Sequence, residues 1–139
     1  MGKEDLIRRT KQFALRVVKL VEALPNTIAG RRIGDQLLRA GTSVGANYRA
    51  ACRGRSKAEF IAKIGTVEEE ADESAYWMEI IMEAGLLSPA RATPLHHEAE
   101  AIRKIMAKSR ITASRSLAAA RGGQSAIGNR QSAIRNENH

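Results

Sequence analysis

Cysteine is almost missing from this chain: among 139 residues there is one, Cys52. A single thiol excludes an intrachain disulfide framework and a cysteine-based zinc knuckle, and it fits a reducing compartment. Aromatic residues are also scarce, at 4%. That disfavours a β-sandwich, whose strands draw on aromatic and β-branched residues in alternation. No apolar run approaches the roughly 20 residues needed to cross a bilayer. The opening Met1-Gly2-Lys3-Glu4-Asp5 has no apolar stretch of the kind a secretory signal carries. The expectation is a cytoplasmic protein with no membrane partner.

The hydrophobic content is 43%, supplied mainly by aliphatics, alanine and methionine. Such side chains interdigitate well between helices, and the length suits one domain with one core. From about Asp5 to Leu24, the residues Leu6, Phe13, Val17, Val21 and Leu24 recur at helical spacing, with Ala14 and Val18 widening the stripe. Pro25 predicts a stop at Leu24. A second helix is predicted from Thr27 to about Cys52, carrying Ile28, Ile33, Leu37, Leu38, Val44 and Tyr48. It also contains Gly30, Gly34, Gly41 and Gly45, each costing a helix about 1 kcal/mol relative to alanine. Such a pattern points to a neighbouring backbone approaching closely, or to a loop near Gly41.

Ser56-Lys57-Ala58-Glu59 reads as a capping box. The stripe Phe60, Ile64, Val67, Ala71, Ser74, Met78 and Ile81 then keeps steps of four and three, the narrow seam of near-parallel helix packing. Gly85 is a natural stop. A fourth helix starts at Ser88-Pro89 or at Thr93-Pro94, with Leu95, Ala99, Ile102, Met106, Ser109 and Ala113 as its apolar stripe. The predicted fold is all-α: an antiparallel up-and-down four-helix bundle over residues 1–121. Residues 122–139 contain the near-repeat Gln124-Ser125-Ala126-Ile127 and Gln131-Ser132-Ala133-Ile134, and read as a low-complexity, disordered tail.

Net charge is +8, an excess that favours polyanions such as RNA or DNA. Residues 56–87 hold two lysines against eight acids, whereas residues 25–55 hold six arginines against Asp35 alone. Helix three is thus acidic and the other three basic. Arg8, Arg9, Arg16 and Lys19 gather on helix one, away from its apolar stripe; Arg49, Arg53 and Arg55 lie at the end of helix two; Lys104, Lys108 and Arg115 share a flank of helix four. These ten residues are the candidate nucleic-acid contacts, since each cation on a phosphate releases about one counterion.

Enzymatic readings find little support. A carboxylate-bridged metal site in a bundle needs Glu-x-x-His pairs, and helix four carries His97-Glu98-Ala99-Glu100 instead. Nothing pairs Cys52 with a histidine as an activated nucleophile. Gly41-Thr42-Ser43-Val44-Gly45 lacks the lysine and the strand of a phosphate-binding loop. Trp77 continues the apolar side of helix three. The expectation is a protein that is not an enzyme, with no cofactor and no metal.

Four segments carry a resemblance: Leu24-Pro25, Asp35 to Arg49 with Gln36-Leu37-Leu38-Arg39-Ala40 and Ser43-Val44-Gly45-Ala46-Asn47, Ser56 to Lys63, and Glu70 to Glu79 with Glu73-Ser74-Ala75-Tyr76-Trp77. Over about residues 5–115 the chain resembles the 23S ribosomal RNA intervening-sequence protein family of bacteria. Many members have Glu-Gly shortly after the asparagine, where this chain has Ala50-Ala51-Cys52. The resemblance implies a four-helix bundle assembled as a ring-shaped homopentamer. It extends in fold to the accessory variability determinant proteins of diversity-generating retroelements, which bind nucleic acid and a reverse transcriptase through a basic surface. It supplies no catalytic residues. Residues and resemblance together predict a non-enzymatic, oligomeric protein that binds RNA or DNA. A scaffold for an acidic protein partner is the alternative.

Overall fold

Pro25 separates two helices, and the side chain of Thr27 starts the second by accepting from the Gly30 amide at 3.0 Å. In the computed structural model, which describes the backbone of residues 1–137 and the side chains of residues 1–122, the elements are α1 (Lys3–Glu22), α2 (Ile28–Cys52), α3 (Lys57–Glu83) and α4 (Pro89–Glu137). The expectation of a disordered tail over 122–139 falls outside the fully described residues.

The helix ends follow the sequence signals closely. Ser56 Oγ accepts from the Glu59 amide at 3.1 Å, while the Glu59 carboxylate accepts from the Arg55 amide at 2.7 Å. The reciprocal bond therefore lands one residue earlier than in a standard capping box. Gly85, with φ of +71°, terminates α3. Its amide donates to Met82 at 3.1 Å and that of Leu86 donates to Ile81 at 2.9 Å, the paired bonds of a Schellman motif. Of the two possible starts for α4 the first is used, so Pro94 lies inside the helix. α1 stops at Glu22 rather than Leu24, with Ala23 as its C-cap.

The order around the bundle is α1, α2, α3, α4, each packing on its sequence neighbours, and the α1–α4 seam closes the ring with the least contact. Phe13, Val17, Leu37, Val44, Ile64, Val67, Met78, Ile81, Ile102 and Met106 form the centre. Two polar side chains share it. Thr10 and Ser74 each donate a hydroxyl proton to the carbonyl four residues back, Leu6 and Glu70, at 2.8 Å, so neither is left unsatisfied.

α2 runs unbroken through Gly41, which rules out a loop there. The glycines instead let α1 approach. A Cβ on Gly41 would meet the γ-carbons of Val17 at 2.7 and 2.8 Å, and one on Gly45 would meet the Thr10 backbone at 3.3 Å. One element of the expected α2 stripe fails: Ile28 is 74% exposed, because it occupies the first helical position, beyond the reach of the core.

Candidate nucleic-acid interface

The acidic surface of α3 and the cations of its neighbours meet in a few defined pairs. On the α3–α4 face, Arg110 Nε donates to Glu68 at 2.7 Å, and Arg103 donates to Glu100 at 2.8 Å with Asp72 at 3.9 Å. Arg103 holds the Glu100 carboxyl below its usual range, chiefly by hydrogen bonding. His96 and Glu79 lie 3.0 Å apart at the far end of the same seam. Part of the acidic charge of α3 is thereby used within the fold. Glu69 and Glu73 remain exposed, and Glu73 also accepts from the Trp77 indole at 3.2 Å.

Arg9 differs from the other cations predicted for an interface. It grips Glu98 of α4 through two bonds of 2.8 Å, and its side chain is only 29% exposed. Three residues after Leu6, it sits at the edge of the buried stripe of α1, within reach of α4. It closes the α1–α4 seam, a structural task that leaves no open guanidinium for a ligand. Arg8 lies on the outside, paired at 2.5 Å with Asp5 on its own helix. An exposed pair of this kind is screened and readily exchanged.

The remaining eight candidates, Arg16, Lys19, Arg49, Arg53, Arg55, Lys104, Lys108 and Arg115, are all exposed. Among the described residues none of them forms an ion pair. They do not form one patch. Arg49 and Arg53 line a cleft between α1 and α2 with Lys3 and Lys11. Arg53 and Arg55 meet Lys63 of α3 at the α2–α3 turn. Lys108 shares a groove with Lys57 near the start of α3, where the Lys57 ammonium donates to Ser116 at 2.7 Å. Arg16 and Lys19 are joined by Arg91 from the start of α4.

The antiparallel topology places the start of α1, the end of α2 and the start of α3 at one end of the bundle. Lys3, Lys11, Arg49, Arg53, Arg55, Lys57, Lys63 and Lys108 therefore belong to that end, and Glu4 and Glu59 are the acids lining the same clefts. Lys3, Lys11, Lys57, Lys63 and Arg91 were missed by reading each helix separately. Their signal appears only when the ends of different helices are superposed.

Half-buried Cys52 lies in the α1–α2 cleft. Its neighbour Tyr48 is buried, and that burial, assisted by the Cys52 thiol, pushes the phenol well above its ordinary range. Among the described residues, no three His, Cys, Asp or Glu side chains come together in a group able to hold a metal ion. None of the helices there is long and apolar enough to cross a membrane.

Comparison with known proteins relates the chain to one family. A family model described as 23S rRNA-intervening sequence protein matches residues 3–108. The fold is similar to a crystal structure from Bacteroides thetaiotaomicron VPI-5482, a protein of unknown function from the S23 ribosomal protein family. Identity is 28% and the TM-score 0.69, over 76% of this chain and 97% of the other. No curated protein matches the chain.

Proposed function

The chain belongs to the 23S rRNA-intervening sequence protein family, and from that premise we propose that it is a non-enzymatic, homo-oligomeric protein of the cytoplasm that binds RNA or other nucleic acid electrostatically. One observation carries the reading: eight cations on α1, α2, the α2–α3 turn and α4 are exposed and free of ion pairs among the described residues, while Arg9, Arg103 and Arg110 are committed to carboxylates. Internal pairing thus uses a minority of the positive charge. The rest lies on the helices and at the α2–α3 turn, most densely at the end bearing Arg49, Arg53, Arg55 and Lys108. Phosphate contacts there would give affinity without base-specific readout.

Self-association would cover Leu15, Ile28 and Tyr76, large apolar side chains that are 50%, 74% and 52% exposed. The acidic outer side of α3 also complements the basic sides of α1 and α2. A pentamer is the assembly that the family resemblance implies. Purification at low salt tests the reading: nucleic acid should accompany the protein and be released by high salt. A nucleic-acid-free preparation that instead carries one acidic protein in fixed ratio would replace this function with that of a protein scaffold.

A further inference from the structure

At the opposite end of the bundle, the last turns of α1 and the first two turns of α4 flank an open cleft of about 240 Å³. Three cations line it, Arg16 and Lys19 from α1 and Arg91 from α4. No carboxylate does, and none of the three forms an ion pair among the described residues. Glu22, one turn beyond Lys19, is exposed and not paired with it. The first turn of α4 holds no acidic residue, although acids are the groups that a helix start favours. Arg91 instead adds a cation where the helix is already positive. The back of the cleft is apolar, with buried Leu87 and Leu95 beneath exposed Pro94.

Three cations over an apolar wall suit a ligand that is doubly negative at one point and flat and apolar beside it. An internal phosphodiester carries one charge, so it would leave three converging cations underused. A terminal phosphate monoester carries about −1.5 to −2 charges near neutral pH and ends there. Its oxygens can accept from two guanidinium forks and an ammonium in charge-assisted bonds. We propose that this cleft binds the phosphorylated end of a nucleic-acid strand, with the terminal nucleotide resting on Pro94. The inference rests on the nucleic-acid reading above and adds Arg91 to the residues that carry it.

The test is fluorescence-anisotropy binding of the full chain to one short RNA in three forms, with a 5′-phosphate, a 3′-phosphate or hydroxyls at both ends. One phosphorylated form should bind about tenfold tighter than the hydroxyl form, the gain expected from about one further charge-assisted contact. Arg91→Gln should remove most of that gain while circular dichroism shows an unchanged fold, and Arg16→Ala with Lys19→Ala should do the same. Equal binding of all three RNAs would overturn the inference and leave general nucleic-acid binding intact. Failure of every RNA to bind would remove both. An end preference that survives all these substitutions would place it elsewhere on the protein. Displacement of the RNA by micromolar adenosine monophosphate without any end preference would assign the cleft to free nucleotides and likewise overturn it.

Discussion

Replacing Gly41 with alanine would put a Cβ 2.7 and 2.8 Å from the two γ-carbons of Val17 and 3.1 Å from its Cβ. Val17 is fully buried, and a β-branched side chain in a helix has one strongly preferred rotamer, so it cannot swing clear. Relief requires α1 and α2 to separate, and overpacking of this sort costs about 1–3 kcal/mol. Against it stands the gain of about 1 kcal/mol from replacing glycine in a helix interior. The clash wins, for a net loss of about 1 kcal/mol. Gly65 provides the control, because its added Cβ would meet only Arg110 Cδ at 3.9 Å. There the propensity gain stands unopposed, and Gly65→Ala should stabilise by up to about 1 kcal/mol. Urea unfolding followed by circular dichroism, at one fixed protein concentration, should place the two midpoints on opposite sides of wild type. Val17→Ala should rescue Gly41→Ala non-additively, since the new methyl partly fills the space the valine vacates. A Gly41→Ala protein as stable as wild type would refute the close approach of α1 to α2.

Other consequences follow from single contacts. Arg9 and Glu98 should show a coupling of about 0.5–1 kcal/mol in a double-mutant cycle, the upper part of the range that surface pairs give. Additive single substitutions would show that the pair does not fasten α1 to α4. Burial raises the Tyr48 phenol above its unfolded value, so its contribution to stability is complete below the ordinary tyrosine range and is lost as pH rises beyond it. Urea midpoints measured from neutral to strongly alkaline pH should fall for wild type and fall less for Tyr48→Phe; identical curves would contradict this linkage. Gly45→Leu should lower the melting temperature or the assembly mass, because the Thr10 backbone lies only 3.3 Å from the added Cβ; unchanged values of both would reject it.

The helices themselves were legible because each carries a periodic stripe and ends at a recognisable residue: Pro25, Thr27, Ser56, Gly85. The glycines of α2 signalled close approach, but only the structure identifies α1 as the neighbour and Val17 and Thr10 as the residues seated there. Ile28 misled because periodicity assigns a face without showing how far along it the core extends. The charged surface was less legible. Arg9 resembles Arg16 on a helical wheel, yet the antiparallel placement of α4 sets Glu98 beside one and Arg91 beside the other. Such pairings depend on the register between helices far apart in sequence, which helical periodicity does not encode.

Binding of the purified chain to RNA across a salt series tests the central claim most directly. An electrostatic binder using the free cations should lose affinity linearly in log salt, with a slope of about −0.7 to −0.9 per contacted phosphate. Arg49→Ala with Arg53→Ala should make that slope shallower. Absence of binding at low salt, or an affinity indifferent to salt, would contradict the account.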